Sequence, residues 1–335
     1  MPEPAKPLAA ISLDLDNRWS YMKTHGDAGW ETFPSYLDIA VPRILAILDD
    51  IGLKITFFIV GQDAALEKNR AALGAIAAAG HEIGNHSFHH EQWMHRYSPA
   101  ETEREIAVAE EAIEGATGCR PVGFRGPGYS LSTSTLSTLS RRGYRYDAST
   151  FPTFFGPLAR AYYFLGTALS PEERGKRAEL FGGFADGFRP LRPYYWRLGK
   201  RTILEIPVTT IPGLRMPFHL SYIVYLSVFS PPAALFYLRT ALALCRLTST
   251  SPSFLLHPLD FMGNDDGIGI SFFPGMGIPH ERKCALASRA IRLVCDSYKA
   301  VGLLRFTESI ASAGAVPVRE PDFRDADSFR TTRGI

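Results

Sequence analysis

Lys54-Ile55-Thr56-Phe57-Phe58-Ile59-Val60 decides the fold class. Six β-branched or aromatic residues in a row, with no polar alternation, mark a strand buried on both faces. Behind it, Asp63 to Ala79 is Ala-rich and helical, and Gly80 closes it. His81 to Gly84 then reads as another short strand. Strand, helix, strand within thirty residues is a crossover unit, and crossovers make parallel sheets. Upstream, Ala9 to Leu15 is a short apolar run ending in carboxylates. A helix is predicted from about Ser35 to Asp50, with Pro42 kinking or restarting it and Gly52 as its stop. Downstream come an amphipathic, Glu-rich helix over Ala100 to Ala116 and a strand at Pro121 to Phe124. A helix to Arg142 and a strand at Tyr144-Arg145-Tyr146 follow. This rhythm predicts parallel strands under covering helices. Each polar candidate falls just after a strand, on the rim where such folds place ligand sites.

The rhythm breaks over about 151–250, a stretch rich in Pro, Gly, Phe, Tyr and Arg. Its single strand-like island is Ile203-Leu204-Glu205-Ile206-Pro207-Val208. After Thr250 the alternation resumes, with a strand at Ser253 to Leu256, a helix at Glu281 to Ala300 and a last strand at Leu303 to Phe306. The tail, 316–335, is charged and Pro-bearing and is expected to be flexible. The chain has 335 residues, 46% hydrophobic and 21% charged, enough for one large core. A net charge of +2 gives no sign of a nucleic-acid partner. The basic cluster Arg189 to Arg201 reads as a solvated loop. Cys119, Cys245, Cys284 and Cys295 show no CxxC spacing, so free thiols in a reducing compartment are expected. Met1 to Pro7 is short and Pro-rich, and no secretory signal precedes the first strand, so a cytoplasmic location is expected.

Asp16, His86 and His90 supply one carboxylate and two imidazoles for a divalent ion, and Asp14 is left over. Three protein ligands leave a coordination position for water, the mark of a catalytic rather than a structural site. The i,i+4 spacing of His86 and His90 can put both rings on one side of a helical turn. Alternation along a strand points Asp14 and Asp16 to one face. A lone HxxxH pair commonly binds nothing, and a carboxylate after a strand is commonly a turn residue. Their joint position after two strands is what favours the metal. His81 and His89 are read as supporting residues.

Further motifs follow in order: Arg125-Gly126-Pro127-Gly128-Tyr129 after a strand, Tyr146-Asp147-Ala148-Ser149, and Phe254-Leu255-Leu256-His257-Pro258 ending one. With Ser12-Leu13-Asp14-Leu15-Asp16 and His86-Ser87-Phe88-His89-His90 ahead of them, the chain resembles the polysaccharide deacetylase (NodB-homology) family of carbohydrate esterases. The resemblance covers roughly 8–150 and 202–307. It implies an α/β fold, a distorted (β/α) barrel of seven or eight strands, as a single catalytic domain over 8–315 with the insertion at about 151–250. It implies Asp14 as general base and Asp16, His86 and His90 as metal ligands. Arg125 would orient the base, a backbone N–H near Tyr129 would serve the oxyanion, His257 would be the general acid and Asp147 would hold it. Two departures stand out: a leucine separates the aspartates that are adjacent in the family's usual TFDD run, and no tryptophan follows Asp147. Zinc is the default ion, although the ligand set also suits cobalt, nickel or iron.

The expected activity is metal-dependent removal of an N-acyl group, most simply acetyl, from an amino sugar. A deformylase or small-amide hydrolase keeps the same site. A non-catalytic glycan- or lipid-binding homologue would be expected to lack the base or the acid, and Asp14 and His257 are both present. Pro217 to Phe229 and Ala233 to Cys245 are two apolar stretches of about 13 residues, short of the roughly 20 that span a bilayer. They read either as a helical hairpin packed on the barrel or as an apolar lid over 217–245 that admits a lipid-linked substrate at the inner membrane face. Trp19, Tyr21, His25, Trp30 and Asp260 lie in loops after strands and are weighed as sugar-site residues. Phe272-Phe273-Pro274-Gly275-Met276-Gly277 is a turn-rich loop without an assigned role.

Overall fold

The computed structural model describes residues 6–156, 183–312, 314 and 316–323. Ten strands form one sheet: β1 (Leu8–Asp14), β2 (Thr56–Ile59), β3 (Glu82–Asn85), β4 (Gly123–Phe124), β5 (Tyr146–Asp147), β6 (Tyr194–Leu198), β7 (Arg201–Glu205), β8 (Ser253–Leu256), β9 (Lys299–Val301) and β10 (Val318–Arg319). Seven of them, in the order β7-β5-β4-β3-β2-β1-β8, are parallel to their neighbours. Past β7 the chain bends toward β8, where the Thr209 N–H donates to the Ser253 carbonyl at 3.1 Å and the Ser253 N–H to Thr209 Oγ1 at 2.8 Å. These single bonds, rather than a ladder, close the ring. The fold is an α/β, distorted seven-stranded barrel with extra strands on its flank.

Ten helices are described: α1 (Arg18–His25), α2 (Leu37–Ile51), α3 (Gly61–Ala64), α4 (Glu67–Ala78), α5 (Pro99–Thr117), α6 (Thr133–Arg142), α7 (Leu220–Ser227), α8 (Pro231–Leu247), α9 (His280–Ser297) and α10 (Leu303–Ser312). Their starts follow from local chemistry. Ser98 and Glu101 form a reciprocal cap on α5 with Pro99 as its first residue, and Ser132 caps α6 through the Thr135 N–H. α2 runs unbroken through Pro42, contrary to the expected kink. The ring sits on the exposed side of the helix, where water can serve the carbonyl that Pro42 leaves without a donor. The main core joins β1, β2 and β8 to α2, α4, α8 and α9.

Three expectations are corrected. Leu303 to Phe306 is not a strand but the start of α10, while Lys299–Val301 just before it is the strand β9. Leu303 and Phe306 are buried and Ile310 packs beside them, a helical period that four apolar residues alone do not reveal. The basic stretch Arg189 to Arg201 is not a solvated loop. It contains β6, antiparallel to β7, with Tyr194 and Trp196 buried and Arg197 exposed. Finally, Val318 and Arg319 of the tail pair with Tyr195 and Trp196, so 316–323 is anchored, and the rest of the tail lies outside the described residues. Within the insertion, 157–182 also lies outside them. α7 and α8 pack against each other, with Ala234, Leu238, Ala241, Leu242 and Cys245 buried in the main core. Among the described residues no helix is long and apolar enough to cross a membrane.

Candidate active site

All the motif residues gather at the carboxyl ends of the parallel strands. Asp14 ends β1, Asp16 lies two residues beyond, His86 follows β3, Arg125 follows β4, and His257 follows β8. Asp14 Oδ1 accepts a 2.6 Å bond from Arg125 Nη1, and both side chains are buried. Arg125 is itself fixed at two more points, donating through Nε to the Ala148 carbonyl and through Nη1 to Ser12 Oγ. Its guanidinium also lies over the Phe58 ring at 4.4 Å. A fully buried arginine held this way can hold Asp14 in only one orientation.

Asp16 Oδ1 lies 2.9 Å from His90 Nε2 and 3.4 Å from His86 Nε2. It is a buried oxygen with no hydrogen-bond partner, which leaves its lone pair for an ion. Ligands of a tetrahedral ion at 2.0–2.1 Å would stand about 3.3 Å apart, close to this spacing. Oxygen and imidazole donors together suit a first-row divalent ion. The donor set fits such an ion. Burial pushes the Asp16 carboxyl up, but the facing His90 and His86 imidazoles override it and hold it well below the usual carboxylate range. His86 Nδ1 meets the Arg125 carbonyl at 2.6 Å, which fixes the ring and leaves Nε2 for the ion.

His86 and His90 do not share a helical turn as expected. They sit in a loop in which Ser87 (φ 62°) and His90 (φ 54°) are left-handed, an unfavourable state for residues with a Cβ. The loop is held by side chains. The Ser87 N–H donates to Asn85 Oδ1, the His90 N–H to Ser87 Oγ, and the Phe88 and His89 N–H groups to Glu105 Oε1 at 2.9 and 2.6 Å. Glu105, on α5, also takes His89 Nδ1 at 2.7 Å. Burial pushes its carboxyl up, and the bonds from His89 and Phe88 outweigh that and hold it below its ordinary value. Sequence reading missed Glu105, because nothing marks it among the other glutamates of an amphipathic helix. His89 and His81 do play the supporting roles expected of them. His81 Nδ1 accepts from the Ile55 N–H and its ring packs edge-on against Phe57.

The comparisons with known proteins bear on this geometry. Residues 26–146 match the family model described as polysaccharide deacetylase. Over this segment the chain is similar to the polysaccharide deacetylase family. The match contains His86, His90 and Arg125, while Asp14, Asp16 and His257 lie outside it. A peptidoglycan deacetylase-like protein of Gibberella zeae is 35% identical over 163 residues, covering 47% of this chain and 46% of its own length. A peptidoglycan deacetylase of Helicobacter pylori is 27% identical over 157 residues, covering 45% and 52%. The chain thus spans about half the length of these curated relatives. A Mycobacterium smegmatis structure assigned as a polysaccharide deacetylase superposes with a TM-score of 0.62 at 20% identity over 95% of this chain and 94% of that one, which supports the fold.

Two of the expected roles are not met. Asp147 does not reach His257: its carboxylate takes the Ser149 hydroxyl at 2.6 Å and the Ser149 N–H, and it pairs with Glu205 of β7. Burial drives both carboxyls upward, Glu205 well above its ordinary value, as expected where two acids share one proton. The adjacent register of β5 and β7 sets Asp147 directly beside Glu205, a neighbour that one strand's sequence does not disclose. The Tyr129 N–H is likewise committed, donating to the Gly126 carbonyl at 3.0 Å to close the turn Pro127–Tyr129. The turn admits nothing larger at Gly126, where a Cβ would stand 2.0 Å from the Ser130 carbonyl oxygen. His257 instead meets Ser221 Oγ of α7 through Nδ1, at 3.1 Å, and its N–H donates to Asp260 Oδ2 at 2.8 Å.

The loop aromatics are mostly structural. Trp19 donates to Asp63 Oδ1 and sets its ring edge against His90, steadying that ligand. His25 stacks on Phe272 at 3.8 Å and Tyr21 meets Phe273 edge-on, which gives the Phe272-Phe273 loop its role as a clamp on α1. Tyr129, Phe151, His219 and Tyr222 make a run of ring contacts leading to His257.

Proposed function

We propose that this chain is a metal-dependent hydrolase that removes an N-acetyl group from an amino sugar. The observation that carries the reading is the convergence of Asp16, His86 and His90 on one point beside an Asp14–Arg125 ion pair. Asp16 Oδ1 and the two Nε2 atoms would hold the ion, with zinc as the first candidate. When bound, it supplies Lewis acidity for the carbonyl and a lowered water pKa. Asp14, oriented by Arg125, takes the proton from the attacking water. His257 gives a proton to the departing nitrogen. Run along the rim, the rings of Tyr129, Phe151 and Tyr222 offer flat apolar faces to a sugar.

Metal analysis of purified protein, paired with acetate release from N-acetylglucosamine oligomers, tests the reading. One bound ion and acetate release that vanishes in Asp14→Asn support it. A metal-loaded protein that releases no acetate moves the same site to formyl or small-amide substrates. A second substrate reading, a lipid-linked amino sugar, is favoured by the solvent face of the hairpin, where Val228, Phe229 and Phe236 are 56%, 89% and 71% exposed. Acetate release from a polyprenyl-phosphate N-acetyl sugar in preference to the soluble oligomer supports that reading, and the reverse preference removes it.

A further inference from the structure

The general acid needs an orienting partner, and Asp147 is not it. His257 leaves β8 and meets two side chains on other elements. Ser221, the second residue of α7, places Oγ 3.1 Å from His257 Nδ1. Asp260, three residues on, accepts the His257 N–H through Oδ2, and burial pushes its carboxyl up while the neighbouring His257 and Ser221 groups pull it back. Both are buried, Ser221 at 4% and Asp260 at 1% exposure. A hydroxyl accepts one hydrogen and donates one. Ser221 can therefore accept Nδ1–H, with the buried Asp260 acid beside the pair. Lys283 of α9 backs the loop, its Nζ donating to the Leu259 carbonyl at 2.9 Å.

We propose that Ser221 and Asp260 are positioning residues for His257, so that the insertion supplies part of the proton-donating machinery and not only a cover. This rests on the reading of His257 as general acid. With Nδ1–H engaged by Ser221, Nε2 is the nitrogen left to carry the transferable proton. As the C–N bond breaks, its electron pair goes to the nitrogen, which takes the Nε2 proton. The ring is left neutral, with its remaining proton on Nδ1. Ser221 and Asp260 hold the ring in place through that change, as an acid behind a histidine does elsewhere. Position 221 lies beyond the segment that matches the family model, in the part of the chain whose sequence reads only as an apolar helix.

The test compares two substrates whose leaving groups differ in their need for a proton. An N-acetylglucosamine oligomer loses an amine and needs the acid, whereas p-nitrophenyl acetate loses a stable anion and does not. Ser221→Ala and Asp260→Asn should each lower the ratio of amide to aryl-ester turnover by about tenfold or more, within the range of general-acid contributions, with KM for the oligomer little changed. The Asn variant keeps an acceptor for the His257 N–H. The double variant should fall no further than the worse single one, as residues acting as a unit do. Ser227→Ala, on the same helix but bonded only to the Val224 carbonyl, is the control and should keep the wild-type ratio. A ratio unchanged in Ser221→Ala and Asp260→Asn, or lowered equally in Ser227→Ala, overturns the proposal. Nitrogen-15 shifts of the His257 ring give a readout independent of turnover. A neutral form protonated on Nδ1, lost in Ser221→Ala, supports the positioning role, and one protonated on Nε2 overturns it. A metal-loaded wild type that hydrolyses neither compound defeats the deacetylase reading instead, whatever the ring shifts show.

Discussion

Asp14 and Asp16 are two residues apart and face different partners, which separates their roles experimentally. Asp14 touches Arg125 and none of the three converging ligand atoms, whereas Asp16 lies between His86 and His90. Asp14→Asn should keep one equivalent of metal by elemental analysis while losing turnover. Asp16→Asn or His90→Ala should instead cost metal affinity by more than the roughly 10–100-fold typical of outer-shell partners. Equal metal content in all three would show that the ligands have been misplaced. Gly126 is the second decisive residue. Its missing Cβ leaves room for the Ser130 carbonyl, so Gly126→Ala forces backbone apart at the turn that follows Arg125. A loss of about 1–3 kcal/mol is expected by chemical denaturation, the usual cost of overpacking. An unchanged unfolding midpoint would mean that the turn relaxes freely.

At the scale of elements, the metal loop is an α5 product as much as a β3 product. Glu105 receives two backbone N–H groups and His89 from the loop, and with Asn85 and Ser87 it holds the segment in which Ser87 and His90 are left-handed. Glu105→Gln keeps one carbonyl acceptor but loses the charge and the second acceptor for His89. Metal affinity should drop by about tenfold while far-ultraviolet circular dichroism stays native, because the change falls on an outer-shell support. Metal binding equal to wild type would show that the loop holds itself. The β1–β3–β4 rim and its motif order were legible in the sequence, since each strand is a short apolar run followed by polar residues. The hairpin β6–β7 was not. Arg, Pro and Tyr at 189–201 mask a strand whose buried face is only Tyr194 and Trp196, and burial by a partner strand is invisible along one segment.

Across the whole molecule, buried titratable groups that take no part in the proposed chemistry shape the response to pH. Burial, aided by the nearby Lys54 charge, pulls His81 down to about 4 from an ordinary value of 6.5. A histidine depressed on folding binds fewer protons in the native state. Its stability contribution is therefore complete above the unfolded value and is lost as pH falls from about 6.5 toward 4. Asp63 acts in the opposite sense. Burial raises it to about 7, so its contribution is complete below the unfolded carboxylate range and fades as pH rises toward 7. Replacing His81 isolates one arm. His81→Gln keeps an acceptor for the Ile55 N–H and should be more resistant than wild type to acidification from pH 7 to about pH 5, by about 1–2 kcal/mol after allowance for solvent screening. Parallel loss of stability in both proteins over that range would sink the assignment.

The sequence by itself determined the parallel α/β class, the rim on which the site lies, and the identities of Asp14, Asp16, His86, His90, Arg125 and His257 as one constellation. Strand periodicity and the residues that end strands are local properties, and they survive reading in one dimension. Only the tertiary structure decided what each carboxylate faces. Register across β5 and β7 set Asp147 against Glu205, and the return of α7 over β8 set Ser221 against His257. Those neighbours are 58 and 36 positions apart in the chain (147 to 205 and 221 to 257), and no local pattern encodes a contact made by the closure of a barrel. The same holds for closure itself. Two hydrogen bonds between Thr209 and Ser253 complete the ring, and neither residue differs in type from the many threonines and serines that do nothing of the kind.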